Sequence, residues 1–205
     1  MKTTFAVMAF GLLSGLSLIA GPVLTFDQST GINANNQNQP VGWKFNVLTA
    51  ITVDELGWYD QNQDGLGDSH EVGIWNSAGT LLTSVLVPAG TVAGLDGVYR
   101  MVSVSPILLP VGTGYIVGGE NFTDSTDRLA ANVTQTVDPR LTYVDATYSP
   151  SSGFGDPTYV SVSTAGFYGP MFGAEPSGVP EPATVFLGGS GLLIAAALRR
   201  LLRQR

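Results

Sequence analysis

The sequence predicts an all-β domain, folded as a two-sheet antiparallel sandwich of jelly-roll or immunoglobulin-like kind, with a closed barrel as the competing architecture. Two observations carry that expectation. Short segments rich in Val, Ile, Thr and aromatic residues recur along the chain and are bounded by Gly, Pro, Asn and Asp. No stretch between Thr25 and Pro176 holds a helical apolar period long enough to make a helix.

In chain order, strands are expected over Val41 to Val47, Ile51 to Tyr59, Val72 to Trp75 and Leu81 to Val87, each dominated by β-branched, aliphatic or aromatic side chains. Asn76-Ser77-Ala78-Gly79 is a tight-turn signal that joins the third and fourth of these as a hairpin. Further strands are expected over Val98 to Val104, Tyr115 to Glu120, Arg140 to Tyr148, Thr158 to Ser163 and Phe167 to Phe172. Two polar stretches read as loops: Asn121 to Pro139, and Tyr148 to Pro157 with its Pro, Ser and Gly. Trp43, Trp58 and Trp75 fall on strands and are expected as core or sheet-face packing rather than as a sugar-stacking platform.

The β-domain, residues 26–173, is the size of one ordinary domain and lies between two apolar termini. At the front, Met1-Lys2 precedes an apolar run from Phe5 to Ala20 and then Gly21-Pro22, the pattern of a Sec-type signal peptide over residues 1–21 with cleavage near Ala20. An uncleaved N-terminal anchor is the competing reading. The chain has no cysteine, so disulfides do not hold the exported part together. Of the nine Lys and Arg, only Lys44, Arg100, Arg128 and Arg140 lie between the termini, which makes the domain more acidic than the whole-chain charge of −7. Nucleic acid, which calls for concentrated basic side chains, is excluded as the expected partner.

At the other terminus, Ala174 to Gly178 is a short linker, followed by Val179-Pro180-Glu181-Pro182, an apolar stretch to Leu198, and Arg199, Arg200, Arg203 and Arg205. Thr184 to Leu202 supplies roughly the 17–25 residues that a membrane-spanning helix requires. The arginines after the span favour a cytoplasmic C-terminus with the β-domain on the outer side. The two prolines flanking Glu181 keep the motif extended and accessible. Motif, apolar helix and arginine cluster, in that order over residues 179–205, resemble the PEP-CTERM sorting signal. That resemblance implies recognition and processing by an exosortase-type enzyme, with an inner-membrane stage before release to the cell surface or extracellular matrix. An ordinary tail anchor is the competing reading.

A second resemblance covers about residues 40–172. It rests on Leu56-Gly57-Trp58-Tyr59-Asp60, Asp64-Gly65-Leu66, Ser69 to Trp75, Gly79-Thr80-Leu81-Leu82 and Val87 to Thr91. Arg100, Leu109 to Gly118 and Tyr168-Gly169-Pro170-Met171-Phe172 continue it. These segments are similar to a β-domain of unknown function common in PEP-CTERM exported proteins, which more often has Asn where Met171 stands. The resemblance implies a fold and an exported setting, and brings no activity with it.

The sharpest chemical pattern lies inside that stretch. Asp60 to Glu71 satisfies D-x-[DN]-x-[DN]-G followed by five residues and Glu. Calcium takes six to eight oxygens, which Asp60, Asn62, Asp64, the Leu66 carbonyl, Asp68 through water and a bidentate Glu71 could supply. Gly67 in place of the usual hydrophobic residue, and strands rather than helices on both flanks, would make it an isolated calcium loop in a β-protein. The competing reading is a polar connection in which Asp and Asn bond their own backbone as Asx-turns.

Catalytic signals are weaker. His70 is the one histidine and sits in the acidic loop, and the carboxylate pairs Asp54 with Glu55 and Asp124 with Asp127 are not singled out by spacing. The expected function is therefore that of a noncatalytic exported surface or matrix protein. A calcium-assisted carbohydrate-binding module, with exopolysaccharide as partner, is the alternative, and a hydrolase comes third.

Overall fold

The computed structural model of the 205-residue chain describes residues 20–30, 32–34, 38–121, 126–161 and 166–176. The expected signal peptide before Ala20, the end of the linker at Ser177 and Gly178, the motif Val179 to Pro182 and the arginines from Arg199 to Arg205 lie outside these residues. Ile19–Glu175 make up one compact unit.

Among the described residues every regular element is a β-strand, and none is a helix long and apolar enough to cross a membrane. One sheet has the order β1 (Gly21–Pro22), β15 (Pro170–Ala174), β5 (Ile51–Tyr59), β9 (Tyr99–Leu109) and β8 (Gly94–Asp96). The other runs β14 (Tyr159–Val160), β13 (Leu141–Tyr148), β4 (Gln39–Val47), β10 (Gly112–Asn121), β6 (His70–Trp75) and β7 (Leu81–Val87). Two small ribbons complete the set, β3 (Ile32–Ala34) with β11 (Leu129–Ala131) and β2 (Leu24–Phe26) with β12 (Gln135–Val137). All pairings are antiparallel.

The two large sheets face each other as a β-sandwich, because alternate residues on each strand point inward. On β4 the inward set is Val41, Trp43, Phe45 and Val47, all buried. Across the interface Phe172 of β15 stacks on Trp43 with centroids 5.7 Å apart and packs on Phe45 at 5.0 Å. The Trp43 indole N–H donates to the Pro170 carbonyl at 3.1 Å, so the ring is buried without leaving its polar edge unpaired. Fully burying a large apolar side chain of this kind contributes about 1.5–3 kcal/mol.

Strands β5 and β7 fall where the sequence places them, and the β6–β7 hairpin closes through the expected turn. There the Asn76 side-chain oxygen accepts the Ala78 and Thr80 amides, each at 3.0 Å, and Gly79 takes the left-handed φ of 74° that the turn needs. Other boundaries differ. Residues before 26 also join the sheets: β1 pairs with β15, β2 with β12, and Val23 and Leu24 are buried. The polar stretch from Asn121 to Pro139 is not one loop, since it contains β11 and β12. β9 runs on to Leu109, and the last strand begins at Pro170, where it faces Trp58 of β5. Two- and three-residue strands show no alternation in sequence, and tertiary pairing alone defines them.

The registers sort the connections to two ends. Residues 60–69, 88–93 and 126–128 meet at one end. Residues 48–50, 76–80, 110–111 and 138–140 meet at the other, where the chain also enters at Ala20 and leaves at Glu175.

Candidate functional site at the acidic loop

The 60–69 connection joins β5 of one sheet to β6 of the other, so it has to bridge the end of the sandwich. Its first residue, Asp60, is buried and takes the Arg100 Nε–H at 2.8 Å and the Gly65 amide at 3.0 Å on a single oxygen, Oδ2. Arg100, at the start of β9, also donates from Nη2 to the Gln63 carbonyl at 2.9 Å and from Nη1 to that of Ala93 at 3.4 Å. Gly65 holds φ at 111°, a turn that a side chain would strain. Leu66 and Gly90 exchange backbone bonds in both directions, at 3.1 and 2.6 Å, which fastens the loop to the 88–93 connection.

The second half of the loop closes on Asp127. Its Oδ1 accepts the Gly67 amide at 2.8 Å, and its Oδ2 accepts the Asp68 amide at 3.0 Å and bonds His70 Nε2 at 2.9 Å. The other ring nitrogen of His70 meets the Glu120 carbonyl at 2.8 Å. A carbonyl can only accept, so Nδ1 carries a proton. The imidazole is 0 % exposed and lies flat on Trp58, with centroids 3.9 Å apart and planes 3° from parallel. Burial works to raise the Asp127 carboxyl, but the His70 bond and the two amides outweigh it, and the net shift is downward.

Trp58 is seated by glycines. A Cβ at Gly119 would fall 2.6 Å from Trp58 Cζ3, and one at Gly169 would fall 2.7 Å from its Cζ2. The indole fills the space that those two residues leave empty.

The proposed calcium ligands are thus distributed rather than gathered. Asp60 is held by Arg100, and the Leu66 carbonyl accepts the Gly90 amide. Glu71 follows His70 on β6 and therefore points to the opposite face of the strand, where Ser84 Oγ donates to its Oε1 at 3.4 Å. Asp60, Asn62 and Asp64 do line a cleft of about 360 Å³ together with Thr126 and Asp127, while Leu66, Asp68 and Glu71 do not. Among the described residues no group of three or more His, Asp or Glu side chains is close enough to hold a metal ion. In this geometry the donor set is not that of a twelve-position calcium loop, because Arg100 takes one oxygen of the carboxylate at position one and Leu66, Asp68 and Glu71 lie outside the cleft.

All three tryptophans are buried: Trp43 and Trp58 pack in the core between the sheets, while Trp75 packs on the sheet face against Phe154, with ring centroids 5.2 Å apart. Of the groups that organise the site, Asp127 was visible in sequence only as one member of a carboxylate pair, and nothing nearby in the chain linked it to His70. Arg100 carried a signal, since it is one of four basic residues between the termini.

No curated protein and no solved structure matches the chain. A family model described as a domain of unknown function, DUF4082, matches residues 27–168, most of the compact unit and more than half of the chain. The chain therefore belongs to the DUF4082 family.

Proposed function

We propose that this chain is a noncatalytic exported protein of the cell surface or extracellular matrix, sorted through Val179-Pro180-Glu181-Pro182 by an exosortase-type enzyme. The observation that carries the reading is the ordered tail in the sequence: a proline motif, an apolar stretch long enough to span a bilayer, and four arginines behind it. The β-domain adds support. Its one histidine has both ring nitrogens engaged and one face covered by Trp58, an arrangement suited to holding a loop rather than to shuttling protons. The orders β1-β15-β5-β9 and β4-β10-β6-β7 follow the double Greek-key path of a jelly-roll, which favours that form over an immunoglobulin-like sandwich.

The calcium-assisted carbohydrate-binding alternative draws on the cleft beside Asp60, Asn62 and Asp64 and needs Asp60 to leave Arg100. Glycan binding that disappears on chelation would favour it. The sorting reading is tested by mass spectrometry of the mature protein from cells that carry an exosortase: the peptides after Pro182 should be missing, and an intact C-terminal Arg205 would overturn it.

A further inference from the structure

The end of the sandwich opposite the acidic loop exposes three apolar side chains at adjoining connections. Leu48 is 53 % exposed in the link between β4 and β5, while Leu108, next to the end of β9, and Val111, in the tight link between β9 and β10, are each 66 % exposed. Registry puts these links side by side, since Val47 is opposite Gly112 in one sheet and Ile51 is opposite Leu109 in the other. Leu109 points into the core, so Leu108 points away from it.

The same end is where the chain leaves the domain. The Glu175 amide bonds the Thr52 carbonyl at 3.1 Å, and Thr52 is the strand partner of Leu108. Arg140 Nη1 donates to the Glu175 carbonyl at 2.8 Å, and the Arg140 carbonyl accepts the Leu48 amide at 2.7 Å. The Arg140 charge is matched by Asp138 at 2.6 Å. Seven residues, Pro176 to Pro182, separate this exit from the apolar stretch beginning at Ala183. Fully extended they reach about 25 Å at most, less than the thickness of a bilayer's polar and apolar layers together.

We infer that this end is a lipid-docking surface: Leu48, Leu108 and Val111 insert into the interface of the bilayer that holds the C-terminal apolar stretch. The inference rests on the anchored stage of the sorting reading. A short tether at one end confines the domain to the membrane surface, and three apolar tips beside the tether have lipid as their nearest apolar phase. Val92, 84 % exposed in the 88–93 connection, belongs to the far end and should stay in water.

The absence of native cysteine allows a direct test. Full-length chains carrying Leu48→Cys, Leu108→Cys, Val111→Cys or, as control, Val92→Cys are labelled with an environment-sensitive fluorophore. They are then reconstituted into vesicles of phosphatidylethanolamine and phosphatidylglycerol. Labels at 48, 108 and 111 should shift to the blue and lose intensity when doxyl lipids are included, while the label at 92 does neither. Chains that float with the vesicles but carry four water-exposed labels overturn the docking surface and leave the anchor standing. Chains that fail to float overturn both. Labels at 48, 108 and 111 that are already dry in detergent, and insensitive to doxyl lipid, would show a second copy of the chain on this face and would also overturn it. Melting of each variant with the parent confirms that the fold is kept.

Discussion

The His70 imidazole lies flat against the Trp58 indole, 3.9 Å between centroids, with its two nitrogens spent on Glu120 and Asp127. Trp58 belongs to one sheet and His70 to the other, so the stack fixes where the sheets meet at the acidic-loop end. The histidine acts as a polar rivet in an apolar wall.

Replacing it should be costly. His70→Ala removes the stack and leaves Asp127 and the Glu120 carbonyl without their ring partners, for an expected loss of about 1–3 kcal/mol, the range for leaving a buried hydrogen-bonding group unsatisfied. His70→Phe keeps the stack and loses only the hydrogen bonds, so its urea midpoint should fall between Ala and wild type. Equal midpoints for Phe and Ala would show that the bonds carry all of the effect.

The Asp127 carboxylate gives the site a pH dependence of definite sign. Its folded-state pKa is depressed below the unfolded value, so its stabilisation is present above about pH 3.9 and is lost as pH falls through the lower folded value. Asp127→Asn should therefore be less stable than wild type near neutrality, by about 1–3 kcal/mol for mismatched amide donors. The gap should close in strong acid. Parallel stability curves down to pH 2 would remove Asp127 as the source.

Gly119 is a packing glycine. A methyl there meets the Trp58 ring at 2.6 Å and the Glu71 carbonyl at 2.9 Å, both in the rigid interior. Gly119→Ala should cost about 1–3 kcal/mol, the range for overpacking a filled core, read as a lower thermal midpoint. It should also perturb Trp58 fluorescence.

The ion pair of Arg100 with Asp60 predicts the response to calcium. With the first carboxylate of the loop already neutralised, millimolar calcium should leave the melting temperature of the wild-type domain where it was. A saturable rise in melting temperature with heat of binding would instead mean that the ion displaces Arg100. Arg100→Met leaves Asp60 buried and unpaired, and should destabilise by about 3–5 kcal/mol.

Residue chemistry by itself determined the β class, the cysteine-free acidic domain, the Asn76 to Gly79 turn and the limits of β5 and β7. These follow from side-chain shape and local backbone preference, which act over a few residues and leave a period or a turn signature in the sequence. The Asp60 to Glu71 pattern was also legible, but its spacing matched two structures, an ion cage and a self-bonded turn. Tertiary structure added contacts that neither reading contains, bringing Arg100, 40 residues away, onto Asp60, and Asp127, 57 residues away, onto His70. It likewise drew residues 21–26 into the sheets and set Leu48, Leu108 and Val111 beside the chain's exit. No periodicity foretells such contacts, because their free energy is gained only after distant strands have closed, and the sequence separation between partners leaves no local trace.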